Sequence, residues 1–209
     1  MSDEYHTIRA ESLVEIKVQG SRFKGEAIGA VSTLEAQSKL DQIRKREHAA
    51  THHCYAWRVG HDQDMAFKYS DDGEPNGTAG RPIYDAIVGA DLTDTIVVVT
   101  RYFGGTKLGT GGLAHAYSDA ARLALEQAGR SIRYVTGLAT VTLEFSLYDR
   151  WLKLLQKMGA AVVDAQFADR VTMQIEIRLS RFDELQRTFV ELTSGKGQIE
   201  ITPTSQKKS

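Results

Sequence analysis

The chain has 209 residues, with 26 Lys and Arg against 27 Asp and Glu, a formal net charge of −1 and a pI near 6.6. A broad electrostatic grip on nucleic acid draws on many phosphate contacts and a basic domain, so it is excluded, and any phosphate contact has to be local. With 42% hydrophobic residues, 25% charged and only 3 Pro, the composition is that of one large or two small globular domains and excludes disordered or collagen-like chain.

The first ten residues are polar and charged, without the apolar core of a signal peptide, and the single cysteine, Cys54, has no internal disulfide partner. No segment approaches the roughly 20 apolar residues of a membrane helix. A cytoplasmic protein without membrane contact is therefore expected. Leu13 to Val18 and Phe23 to Val31 alternate as strands and predict a hairpin around Gln19-Gly20. Ser32 or Thr33 can cap a helix reaching about Glu47, with Leu34, Leu40 and Ile43 expected on one face. Two strands follow, His53 to Val59 and Met65 to Ser70, joined by the polar turn His61-Asp62-Gln63-Asp64. Asp71 to Gly80 reads as a loop, and Arg81-Pro82 opens a short helix with Pro in its tolerated first turn. Thr95 to Arg101, with Ile96-Val97-Val98-Val99 at its centre, is a buried strand. A glycine-rich loop from Gly104 to Gly112 leads into a helix from Leu113 to Gln127, which carries Leu113, Ala116, Ala120, Leu123 and Ala124 at helical spacing.

After Ala128-Gly129 the pattern restarts as strand Val141 to Leu147, helix Arg150 to Met158, strands Ala161 to Phe167 and Arg170 to Leu179, helix Phe182 to Thr193 and strand Gln198 to Thr202. Ala168-Asp169-Arg170 links the two middle strands. This βαββαβ order is the ferredoxin-like split unit, so an α+β chain is expected, with domains at residues 1–137 and 138–209. The first holds 16 Lys and Arg against 18 Asp and Glu, a net −2, and the second 10 against 9, a net +1. Neither is an electrostatic tail, and Lys207-Lys208 reads as a solvated end.

Chemistry concentrates in two segments. In Arg101-Tyr102-Phe103-Gly104-Gly105-Thr106-Lys107-Leu108-Gly109-Thr110-Gly111-Gly112, a strand end, glycine amides and a helix N-terminus can together hold an anion. Lys107 precedes Leu108, so the spacing is not that of a P-loop, and the strand ends too early for a dinucleotide fingerprint in Gly109-x-Gly111-x-x-Ala114. The alternative is structural, with glycines serving positive φ and close packing. In Ser70-Asp71-Asp72-Gly73-Glu74-Pro75, three carboxylates can hold Mg²⁺ or act as acid and base, but Asp-Gly is also ordinary turn and capping chemistry. Arg81 is a candidate partner for one of them.

His52-His53-Cys54 does not make a zinc site, because adjacent strand residues point to opposite faces and no second cysteine is present. Cys54 with His53 or His115 has the ingredients of a nucleophile pair, but an apolar-flanked cysteine is a core residue by default. Tyr55 and Trp57 share the face of His53, which reads as core or as a stacking platform.

His53-Cys54-Tyr55-Ala56-Trp57, Tyr69 to Pro82, Val98 to Gly105 and Leu108-Gly109-Thr110-Gly111-Gly112-Leu113 closely resemble the IMPACT family, in its bacterial YigZ-like branch, over most of residues 15–130. The resemblance implies an N-terminal domain like domain 2 of ribosomal protein S5, shared with domain IV of elongation factor G. It also implies a C-terminal ferredoxin-like domain similar to late domains of that factor. Eukaryotic members are translation regulators that bind a ribosome-associated activator of the amino-acid-starvation kinase and carry an extra N-terminal interaction domain. Only about a dozen residues precede the first strand here, so that partner is not expected to transfer. The favoured expectation is a non-enzymatic translation-associated regulator contacting RNA, the ribosome or a translation factor. Its surface would comprise Arg101, Tyr102, Gly104, Gly105, Lys107, Gly109, Gly111 and Gly112, with Arg81 and His53 nearby, and neither metal nor cofactor. By analogy of fold, the rival is a phosphotransferase in which Asp71, Asp72 or Glu74 holds Mg²⁺ with a nucleotide. A module that binds only protein is the third expectation.

Overall fold

A computed structural model describes residues 3–202, so Lys207 and Lys208 lie outside the described residues. The chain is α+β and its described residues divide into two units, Tyr5–Arg133 and Tyr134–Thr202, the latter also taking in Asp3 and Glu4. The division falls just before the expected Gly137. Val135 already belongs to the second unit through hydrogen bonds with Asp3 and Leu179, and the Arg178 guanidinium lies over the Tyr134 ring at 3.2 Å.

In the first unit, β1 (Glu4–Ile8) pairs with β7 (Arg130–Tyr134) in a two-stranded ribbon that the polar sequence of both segments conceals. The main sheet has the order β2-β3-β6-β4-β5, from β2 (Ser12–Val18), β3 (Ser21–Gly29), β4 (His52–Val59), β5 (Ala66–Ser70) and β6 (Thr95–Tyr102). The hairpin turns at Gln19-Gly20, both at positive φ. Helix α1 (Thr33–Arg46), capped by Ser32 Oγ accepting from the Glu35 N–H, buries Ala36, Leu40 and Ile43 on one face of the sheet against Tyr55, Trp57, Ile96 and Val98. Leu34 corrects the expectation: it is 80% exposed, because six residues of helix from Leu34 to Leu40 do not return to the same face. Tyr55 and Trp57 are core.

Helices α2 (Gly80–Gly89) and α3 (Gly109–Ala128) cover the other face, packing Ile83, Ile87, Leu113, Ala116, Ala120 and Ala124 onto Phe23, Ala27, Cys54, Ala56, Val97 and Val99. The alanine stripe of α3 allows a close approach: a Cβ on Gly25 of β3 would lie 2.4 Å from the Ala120 carbonyl oxygen. Helix α3 starts at Gly109, one turn before the expected Leu113, because packing of its apolar stripe carries the helix into residues of poor propensity.

The second unit runs β8 (Thr136–Leu143), α4 (Tyr148–Lys157), β9 (Ala161–Phe167), β10 (Val171–Arg178), α5 (Phe182–Thr193) and β11 (Gln198–Thr202). Its antiparallel sheet has the order β11-β8-β10-β9, the split βαββαβ arrangement. Alternation along β8 and β10 sends Ala139, Val141, Leu143, Met173, Ile175 and Ile177 to one face, where Trp151, Leu155, Leu185 and Phe189 of the two helices cover them. The first strand of this unit begins five residues before the expected Val141 and ends at Leu143, where a 3-10 turn, Phe145–Leu147, takes over.

Candidate functional site

The acidic loop, residues 71–79, and the glycine segment, residues 101–112, meet through Glu74 and Arg101 in the first unit. Three carboxylates hold the acidic loop in place. Asp71 accepts the N–H groups of Gly77, Ala79 and Gly80 at 2.8–2.9 Å, so it supplies the cap that Ala79 itself lacks at the start of α2. Asp72, at φ 45°, accepts from Arg44 Nη2 at 2.8 Å and from the His53 N–H at 2.7 Å. Glu74, with its side chain 4% exposed, accepts from Arg101 Nη1 at 2.6 Å and from the Tyr117 hydroxyl at 2.8 Å, while His52 Nε2 lies at 3.9 Å. The three do not converge on one point. Among the described residues no group of three or more His, Cys, Asp and Glu side chains is placed to hold a metal ion.

Glu74 thereby joins the two segments. Arg101 at the end of β6 is not the free cation that the sequence suggests: it is 5% exposed, ion-paired with Glu74, and its Nη2 reaches Ser21 Oγ at 3.4 Å. Its Nε is buried without a partner among the described residues, and its guanidinium carbon lies 5.4 Å from the ring centroids of both Phe23 and Phe103. Cys54 is buried beside this pair and donates its thiol to the Asp71 carbonyl at 2.9 Å; burial pushes the thiol far up, so it supplies no thiolate. Burial likewise raises the Tyr117 hydroxyl. His53 lies on the opposite face of β4 from Cys54, and His115 is exposed on α3, so neither forms a nucleophile pair with it.

The remaining expected residues separate into internal and exposed groups. Arg81 pairs with Asp85 at 2.7 Å, not with the acidic loop, because the two lie one helical turn apart on α2. Tyr102 is fully used: its hydroxyl donates to Glu47 at 2.6 Å, and Arg22 and Lys24 lie 4.7 and 5.5 Å from its ring centroid. His53 Nε2 is 3.2 Å from the Glu47 carbonyl. Glu47 also accepts from Lys24 at 2.8 Å and Arg46 at 3.3 Å. Burial alone would raise its carboxyl, but the hydrogen bonds from Lys24, Tyr102 and Arg46 outweigh it and lower it to about 2.

Within the glycine segment, Gly104 is structural. Its N–H goes to Ser21 Oγ at 3.1 Å, and a Cβ there would sit 2.0 Å from the Gly20 carbonyl carbon. Gly105 and Gly109, at φ 90° and 71°, face open space, as does Gly111, whereas Gly112 is in contact range of Leu108. Lys107 is exposed and has no ion-pair partner among the described residues. Leu108 provides no side-chain cap, so the first amides of α3 are left to solvent. Sequence reasoning missed Tyr117, Ser21 and Arg44 as partners of the loops, and Phe103, which stands 48% exposed between Tyr102 and Gly104. Tyr117 had a signal: a tyrosine on the stripe of Leu113, Ala116 and Ala120 buries its ring and must find a partner for its hydroxyl.

Comparison with known proteins places the chain in a family. Residues 19–125, which include both loops and Tyr117, match the Impact N-terminal domain, and residues 141–196 match a domain of unknown function (DUF1949). The chain is 31% identical to the IMPACT family member YvyE of Bacillus subtilis over 199 residues, 95% of this chain and 91% of that one. It is 28% identical to the IMPACT family member YigZ of Escherichia coli over 165 residues, 78% of this chain and 81% of that one. A crystal structure described as that of a hypothetical protein superposes with a TM-score of 0.71 at 26% identity, covering 95% of this chain and 97% of the other. A family model matches each half of the chain, relatives of the same family match it along most of its length, and the chain belongs to the IMPACT family.

Proposed function

We propose that the protein is a non-enzymatic, translation-associated regulator that contacts RNA or a ribosome-associated protein through the exposed part of the glycine segment. The observation carrying this reading is the contrast within that segment. Arg101, Tyr102 and Gly104 are consumed internally, whereas Lys107, Gly105, Gly109 and Gly111 face solvent beside the uncapped start of α3. A lone cation, accessible backbone amides and the positive end of a 20-residue helix suit a phosphate or carboxylate without any net positive charge on the protein. The association with translation rests on family membership and the resemblance set out above. Binding is favoured over phosphotransfer because all three carboxylates of the acidic loop are engaged in holding the fold, and because Cys54 is kept as a buried thiol.

The test is binding of the purified protein to ribosomes and to structured RNA across a salt series. Affinity above that of a basic control protein at low salt, reduced by Lys107→Ala, is expected, with a salt slope of order one unit per phosphate contact. Binding no stronger than the control, and indifferent to Lys107→Ala, would overturn the reading.

A further inference from the structure

The ring of Phe103 is a large apolar surface that the fold presents instead of burying. It is 48% exposed, although the chain on either side of it is pinned. Its own N–H donates to Thr51 Oγ1 at 3.2 Å, and the next residue, Gly104, donates to Ser21 Oγ and presses on the backbone of Gly20. The ring is therefore carried on a fixed piece of backbone at the end of β6. The Arg101 guanidinium carbon lies 5.4 Å from its centroid, on a side chain itself 95% buried and with its Nε unpartnered among the described residues. Arg101, buried and ion-paired with Glu74, backs the ring from the protein side, and the exposed part of the ring is left as a surface on which a heteroaromatic ring can stack. Tyr102 cannot serve in the same way, because Arg22 and Lys24 lie against its ring and Glu47 takes its hydroxyl.

Two and four residues beyond Phe103 the chain supplies what the phosphate next to a stacked base needs. Gly105 is open and at positive φ, and Lys107 is exposed without an ion-pair partner among the described residues. We infer that Phe103 is a stacking platform for an unpaired base of a single-stranded RNA segment, with Lys107 and the open glycine backbone engaging the adjoining phosphate. This inference rests on the RNA arm of the proposed function and narrows it. A paired duplex hides its base faces, so the ligand is single-stranded, and recognition by one ring is tolerant of base identity. A protein partner would need neither an unpaired heterocycle nor a phosphate.

The experiment uses the full chain and fluorescence anisotropy with a labelled single-stranded RNA of mixed sequence and a blunt duplex of the same sequence. The single strand is expected to bind more tightly than the duplex. Phe103→Ala should weaken it about tenfold with little change for the duplex, while Phe103→Trp, which keeps a stacking face, should retain wild-type affinity. Thermal melts of both variants should match wild type, because the ring is exposed; a variant with a lowered melting temperature is compared at a temperature where it is fully folded. If wild type binds RNA but the single strand gains nothing over the duplex, or Phe103→Ala binds the single strand as wild type does, the stacking role is overturned and the broader RNA reading stands. If wild type binds neither form, both fall.

Discussion

At Glu74, one carboxylate oxygen holds a guanidinium and a phenol in a region from which water is excluded. Desolvating the charges of Glu74 and Arg101 is costly, so the net worth of the pair is small, but removing either partner strands the other. Glu74→Ala and Arg101→Ala are each expected to lower the unfolding free energy by about 3–5 kcal/mol, and the double variant by clearly less than their sum. Denaturant titration of the four proteins checks this; strictly additive losses would mean the pair is not coupled. On the opposite face of the sheet, the folded-state carboxyl of Glu47 is depressed to about 2, from an ordinary value of 4.5. Its stabilising contribution is therefore complete above about pH 4.5 and is lost as pH falls toward 2. Urea unfolding measured between pH 7 and pH 2.5 should show Glu47→Gln less stable than wild type at neutral pH, with the difference shrinking in acid. A constant difference would contradict the network assigned to Lys24, Tyr102 and Arg46.

At the level of elements, the glycines of one segment do two different jobs. Gly104 has no room for a side chain because the hairpin turn at Gly20 lies against it, backbone to backbone. Gly111 has open space and lies in the first turn of α3. Gly104→Ala is expected to destabilise the protein by about 1–3 kcal/mol or more through overpacking, whereas Gly111→Ala is expected to be neutral or to stabilise it by up to about 1 kcal/mol through helix propensity. Equal effects of the two substitutions in thermal melts would contradict the division. The same segment shows what could be read without the structure. The strand β6 and the glycine run after it were legible from hydrophobicity and composition, but the start of α3 was not, because glycine signals loop and the packing that overrides it is tertiary. Leu34 misled for a related reason: an apolar residue near a helix start was assigned to the buried face although its spacing from Leu40 does not return there. Residues 161–167, 182–193 and 198–202 came out with the boundaries expected, since glycine or short turns bound them and, in the last two, periodic apolar residues mark the element.

For the whole chain, the βαββαβ order of residues 136–202 was legible because β8, β10, β11 and both helices turn an apolar face to the same small core. The pairing of β1 with β7 was not, since both strands are polar and lie more than 120 residues apart. Both chemical segments of the site were visible as motifs, but not which carboxylate meets which cation: Arg81 found Asp85 on its own helix, and Arg101 found Glu74 across 27 residues. That allocation moves the candidate contact from the buried arginine to Lys107, Phe103 and the open glycines, and the proposed phosphate contact therefore requires no net positive charge on a chain of net charge −1.

The salt dependence of single-stranded RNA binding, measured for wild type and Lys107→Ala, tests this most directly. A small local site predicts a shallow wild-type slope of log affinity against log salt, worth only a few phosphate contacts, that falls by about one unit when Lys107 is removed. An unchanged slope in Lys107→Ala, or no RNA binding by wild type at low salt, would contradict it.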